Sequence, residues 1–217
     1  MITCTLAVVF CTLAATFAQA QQWPTKPIRF VVPFAPGGTS EIVARAVAQE
    51  LSTVLGQTAF VENKPGGAGV IAMQEVANAE PDGHTLILGH VGTLAVNPFA
   101  MPKHPYDVNK EFAPVILLAR VPNIFAVAPD VPAKTFRELV PIAKAKPDTL
   151  TYGSAGNGLS GHLAMEYFMA ESGIKMIHVP YKGTGPMLQD MLGGRVSAMF
   201  TGAPALKGQI NAGKLRA

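Results

Sequence analysis

The sequence predicts an α/β fold, and three observations carry that reading. From residue 28 onwards, short apolar runs alternate with stretches of helical spacing. Glycines and prolines, 21 and 18 of the 217 residues, punctuate the joins between those runs. Apolar residues make up 49% of the chain and charged ones only 14%, which is enough apolar surface for a substantial core.

The elements follow in order. Residues 28–33 (IRFVVP) form an apolar run bounded by prolines and read as a buried strand, broken by Pro36-Gly37-Gly38. Helical spacing then runs from Thr39 to Leu55, and Gly56 stops it. Residues 58–62 read as a second strand, 68–79 as a helix ended by Pro81-Asp82-Gly83, and 85–89 (TLILG) as a third strand. This β-α-β-α-β order favours a parallel sheet with right-handed crossovers. The pattern restarts with strands at 115–119 and 124–128 and a helix at 135–146, which Pro141 is expected to kink. Strand 150–153, helix 159–172, strand 175–179, helix 186–192, strand 196–200 and helix 204–212 complete it. Two α/β units result, joined near residues 119–123.

Residues 1–20 are a different kind of segment. They hold no charged side chain, and a nearly continuous apolar run ends in Ala18-Gln19-Ala20, the small-x-small pattern of a signal peptidase site. No Lys or Arg precedes that run, a departure from the usual export signal. Both cysteines, Cys4 and Cys11, lie inside the segment, so its removal leaves a chain without thiols. Export without disulfides fits a bacterial periplasmic protein. Val8-Val9-Phe10 before Cys11 lacks the small residue of a lipid-anchor site. A net charge of +3, with no Lys/Arg block, argues against nucleic acid.

Three loops place glycines and small hydroxyls directly after a strand. They are 34–40 (FAPGGTS), 89–93 (GHVGT) and 153–160 (GSAGNGLS). Glycine lets backbone come close to a ligand, and a helix N-terminus offers free N–H groups with positive potential. Such a place binds a carboxylate or phosphate without an Arg. Any one of these loops also reads as an ordinary tight βα turn; three at strand C-termini on two units point to a cleft.

Catalytic and cofactor readings fail. Residues 208–214 have P-loop spacing, but Leu215 stands where the Mg²⁺-binding hydroxyl belongs. Gly158-Leu159-Ser160-Gly161 lacks the closing glycine of a nucleophile elbow. Ser160 and His162 point apart on one helix. The five histidines have no metal-ligand spacing. No cofactor is implied and the protein reads as a non-enzyme, with His162 a hydrogen-bonding or cleft residue.

The motifs taken together resemble Bug-type periplasmic binding proteins, the solute receptors of tripartite tricarboxylate transporters. The resemblance runs through VVPFAPGG (31–38), VENKPGGAG (61–69), PDGHTL (81–86), YGSAGNGLSGHLA (152–164), HVPYKG (178–183) and AGKLRA (212–217). It implies a two-lobed type II periplasmic-binding-protein fold, a Venus flytrap that closes on a small carboxylate. On that resemblance residues 21–119 are lobe 1 and 120–217 lobe 2, cut at the return crossing, with the C-terminal part of the first lobe missing. A chain of that extent is expected to fold or bind weakly alone. Phe34, Gly37, Gly38, Ser40, His90, Gly92 and Thr93 would line the cleft from lobe 1. Ser154, Ala155, Asn157, Gly158, His162, Gly183, Thr184 and Thr201 would line it from lobe 2.

Two positions depart from the family pattern. Glu41 stands where Asp is usual, and Thr201-Gly202 where Asp-Asn is usual. Loss of that Asp is expected to disfavour amino-bearing ligands and favour plain mono- or dicarboxylates. The resemblance further implies a monomer that delivers its ligand to integral-membrane transporter subunits. Two other classes remain open: an α/β enzyme acting on a carboxylate, and a ligand-sensing module for a signalling partner. The first needs a nucleophile–base pair facing the cleft, the second a fused or docked signalling domain.

Overall fold

A computed structural model describes residues 23–217. The export segment and both cysteines lie outside the described residues. Two sheets organise the chain. The first has strands β1 (Ile28–Val32), β2 (Ala59–Asn63) and β3 (Thr85–Ile87), all parallel, in the order β2-β1-β3. Helix α1 (Thr39–Leu55) connects β1 to β2, and α2 (Val70–Ala77) leads from β2 to β3. Period-2 alternation along β1 decides which helix covers which face. Phe30 and Val32 pack on Ala44 and Ala48 of α1. Arg29, pointing the other way, pairs with Glu62 of β2 and Glu75 of α2, so α2 covers the opposite face.

A π-type turn (Gly92–Val96) and the short helix α3 (Asn97–Ala100) follow β3. The second sheet holds β4 (Asn123–Val127), β5 (Thr151–Ser154), β6 (Ile177–Pro180) and β7 (Ala198–Gly202), in the order β4-β7-β5-β6. β5 is parallel to β6 and β7, whereas β4 runs antiparallel to β7. Between them lie α4 (Phe136–Ala145), α5 (Ser160–Ser172) and α6 (Thr184–Leu192), with α7 (Ala203–Asn211) after β7. This half carries the larger core, with Tyr152, Leu139, Met165, Met187, Met191, Met199 and Leu206 fully buried.

Two expectations need correction. Residues 115–119 form no strand, and Val115, Ile116 and Leu117 are 78%, 75% and 67% exposed. Strand propensity expresses itself only against a ladder partner, and no strand lies alongside them among the described residues. The helix expected from 68 starts at Val70, because Ala68 (φ 52°) and Gly69 (φ 92°) hold left-handed backbone. Helix α4 carries Pro141 in its interior, where the sequence places it. Leu139 and Ala143, four residues apart, are buried and pin one face of the helix, while Pro141 is exposed, so the carbonyl it leaves unpaired faces water.

Candidate functional site

The two sheets meet at their loop ends. Ala35 N–H donates to Lys182 O at 2.8 Å, and Thr39 Oγ1 donates to Gly202 O at 3.2 Å. Glycine makes this approach possible. Gly183 (φ +142°) would place a Cβ 2.8 Å from Ala35 N, and a Cβ on Gly185 would collide with Pro36 O. Gly92 likewise faces Leu159 so closely that any side chain would overlap it. These glycines therefore serve contact between the halves, not only approach to a ligand.

A cavity of about 1790 Å³ opens between the halves and continues along α1, past Val47 and Leu51 to Val115–Leu118. Seven of the fifteen candidate residues line it: Phe34, Gly38, Ser40, His90, Ala155, Thr184 and Thr201. The other eight stand behind that wall. Gly37, Gly92 and Thr93 hold the first-half loops, and Gly183 supports the α6 start. Ser154, Asn157, Gly158 and His162 shape or underlie the loop after β5. Sequence reasoning missed Thr39, Glu41, Leu159, Ser160 and Gly202, which also line it. Thr39, Leu159 and Ser160 each sit within two residues of a glycine it did find, Gly202 directly follows Thr201, and Glu41 lies in the first turn of α1, so the helix start itself was the signal.

Four helices begin on this wall: α1 at Thr39, α5 at Ser160, α6 at Thr184 and α7 at Ala203. Their N-cap residues (Gly38, Leu159, Gly183 and Gly202) make no side-chain capping bond. Helix α4, which contributes no residue to the cavity wall, is built differently. Thr135 Oγ1 accepts from Glu138 N–H at 3.3 Å, and Glu138 Oε2 accepts from Lys134 N–H at 2.6 Å, a reciprocal cap. The N-cap side chain thus closes off a first-turn amide at α4, and no N-cap side chain does so at the four helix starts on the cavity.

The first-half wall carries a charge. Glu41 Oε2 accepts from Gly37 N–H at 2.6 Å, and Glu41 Oε1 accepts from Arg45 Nε at 2.8 Å. Burial opposes its ionisation, but the Gly37 N–H and the Arg45 guanidinium outweigh it and hold the carboxyl below its ordinary range. His90 packs edge-on to Phe34 at 5.3 Å. Its Nδ1 accepts from Gly92 N–H at 3.1 Å, which assigns the outer proton to Nε2. Burial pushes this imidazole down, towards the neutral form.

On the second-half wall, Thr184 and Thr201 share a buried hydroxyl–hydroxyl bond of 3.0 Å. Behind it, Ser154 Oγ lies 2.7 Å from His178 Nε2. Spacing could not reveal this pair, 24 residues apart on neighbouring strands. It is not a nucleophile aimed at the cavity. Ser154 is fully buried, and its Oγ accepts from Gly156 N–H at 3.3 Å. Among the described residues no cluster of His, Cys, Asp or Glu has the geometry of a metal site.

Residues 43–217 match the tripartite tricarboxylate transporter family receptor. The chain belongs to that family. Several solved receptors of this kind share its fold. The R. palustris protein Rpa4515, solved with adipate, is 39% identical with a TM-score of 0.87, over 89% of this chain and 65% of its own. The periplasmic binding protein BugD is 34% identical with a TM-score of 0.85, over 90% of this chain and 65% of its own. MatC from Rhodopseudomonas palustris, solved with bound malate, is 35% identical with a TM-score of 0.82, over 90% and 66%. The receptor chain spans 61% and 65% of the length of two curated relatives that it matches at 36% and 34% identity. Its architecture is the two-lobed α/β architecture of periplasmic binding proteins, and the proteins it resembles are binding proteins rather than enzymes.

Proposed function

We propose that the protein is an extracytoplasmic solute receptor that captures a small mono- or dicarboxylate between its two lobes and delivers it to the membrane subunits of a tripartite tricarboxylate transporter. One observation carries the ligand class. Three helices of the second half, α5, α6 and α7, open on the cavity without a side-chain cap and without an acidic residue in the first turn. Pro186 removes one first-turn N–H from α6 and Pro204 one from α7; the N–H groups that remain, and the helix dipoles, favour an anion there. The small hydroxyls of Ser160, Thr184 and Thr201 add donors that suit a carboxylate oxygen.

The fifteen site residues divide into seven that touch ligand and eight that position those seven. The lobes divide near residue 119, and ligand bridging both lobes stabilises the closed form by its differential contacts. Export by residues 1–20 places the receptor in the periplasm, as a monomer. That the neighbours are solved with adipate and malate supports a carboxylate cargo.

Thermal melting of the protein against adipate, malate and their amino-bearing analogues tests this reading. Melting temperature should rise with the plain carboxylates and less with the amino acids. A preference for an amino acid over its unaminated analogue, or no shift with any carboxylate, would overturn it.

A further inference from the structure

Beneath the loop after β5 lies a group of aromatic and titratable side chains that capture of an anion does not itself require. His178 on β6 stacks on His162 of α5 at 4.3 Å and 20° between planes, and on Tyr152 of β5 at 4.7 Å and 13°. Glu166, one helical turn beyond His162, accepts a hydrogen bond from the Tyr152 hydroxyl and lies 3.6 Å from His162 Nε2. These are the titratable groups that the structure places against the histidine pair.

The pair is tied to the loop at two successive alternate amides. Gly158 N–H donates to His162 Nδ1 at 3.1 Å. Gly156 N–H donates to Ser154 Oγ, which is bonded to His178 Nε2. The loop carries Ala155 and Leu159 on the cavity wall and leads into Ser160, the first residue of α5. Its shape therefore sets where the α5 amides and the Ser160 hydroxyl point.

An imidazole nitrogen can accept an N–H only when it carries no proton. The Gly158 contact requires His162 Nδ1 to carry no proton, which leaves the ring's proton on Nε2, towards Glu166. A proton on Nδ1 would face the Gly158 N–H head on, and that amide would lose its partner. A charge on either ring would also repel a charge on the other across the stack. Burial, and then the neighbouring His162, push His178 towards the neutral form, with Glu166 opposing.

We propose that His162 and His178 are positioning residues for the carboxylate loop, and that the Gly158–His162 contact holds it in binding shape only while the His162 imidazole is neutral, so that capture is proton-linked and weakens in acid. The proposal rests on the carboxylate reading above and adds a regulatory property to the same site. Binding of the anion and release of a proton are then two sides of one equilibrium.

Calorimetric titration with adipate and with malate between pH 8 and pH 6, where both ligands stay largely ionised, tests it. Affinity should fall about threefold to fivefold over that range, the scale set by one modest hydrogen bond, and buffers of different ionisation enthalpy should show protons released on binding. His162→Asn keeps a carbonyl oxygen near the place of Nδ1 but cannot titrate. It should bind more tightly than His162→Leu and show a flat pH profile. Imidazole ¹⁵N shifts of the ligand-free protein should show His162 Nδ1 unprotonated at pH 8. A flat wild-type profile, or a wild-type slope retained in His162→Asn, would overturn the proton link while leaving the carboxylate reading intact. Absence of binding at every pH would overturn both.

Discussion

The two walls of the cleft solve the same problem in opposite ways. On the first-half wall, the start of α1 is occupied by its own acid, with Glu41 accepting the Gly37 amide and bound to Arg45. On the second-half wall, α5, α6 and α7 start without a cap and without a first-turn acid. The difference assigns a polarity to the site. On the proposed function, an incoming carboxylate would be disfavoured at the first wall and received by the second, so that the second half would hold the anion and the first half close over the rest of the ligand.

Disrupting closure should have the largest effect on binding. Gly185→Ala puts a methyl group into Pro36 O, a backbone atom that cannot rotate away. Overpacking of this kind costs on the order of 1–3 kcal/mol, so carboxylate affinity should fall about tenfold to a hundredfold. The cores of both halves should be untouched. Calorimetry and small-angle scattering check it together: weaker binding with a larger radius of gyration supports the contact as a closure surface. Unchanged affinity would detach closure from binding.

The second wall can be probed through Thr184 and Thr201. Thr184→Val leaves the Thr201 hydroxyl buried without its partner, at a cost of about 1–3 kcal/mol. Replacing both by Val removes the orphaned group and should recover part of the stability, which a double-mutant cycle in urea would show. Binding should not recover in the double variant, because both hydroxyls also line the cavity.

How much of this contrast could be read in advance depends on the range of the interaction. Helix α1 was legible from Thr39 to Leu55 because its spacing, the preceding glycines and Gly56 (φ 65°) are local signals. The three glycine-rich loops after β1, β3 and β5 were legible for the same reason. Residues 115–119 were not, since their apolar, β-branched run specifies a strand only if a neighbour supplies a ladder. The turn at Gly92–Val96 also escaped, being held by Tyr106, whose hydroxyl donates to Thr93 O at 2.6 Å from thirteen residues away. The Ser154–His178 pair escaped because strand pairing, which no spacing encodes, brings it together.

A smaller effect is expected on the first wall. Glu41→Gln removes the charge that faces the incoming anion while keeping an oxygen for the Gly37 amide. Carboxylate affinity should rise by about twofold to fivefold, the scale of one partly screened charge. Stability should respond to pH in a definite sense. The folded-state pKa of Glu41 is depressed, so its contribution is present above the ordinary carboxylate pKa and is lost as pH falls through the folded value. Glu41→Gln should therefore flatten the acid limb of the stability curve below about pH 4.5. An unchanged acid limb would show that the Glu41 carboxylate does not contribute.

The least effect on binding belongs to the capped helix. Thr135→Ala removes the Oγ1 acceptor of the Glu138 amide at α4. Loss of an N-cap costs about 1 kcal/mol, which for a chain of this size lowers the melting temperature by about 2–4 °C. Ligand affinity should stay within error of the wild type, because α4 contributes nothing to the cavity wall. The converse substitution sharpens the comparison. Gly183→Ser would offer α6 a cap of its own and compete with ligand for the same amides, yet Gly183 sits at φ +142° against Ala35, where a serine cannot be placed without strain. The geometry that lets the halves close is thus the geometry that keeps a side-chain cap off α6, and its first-turn amides stay open to the cleft for that reason.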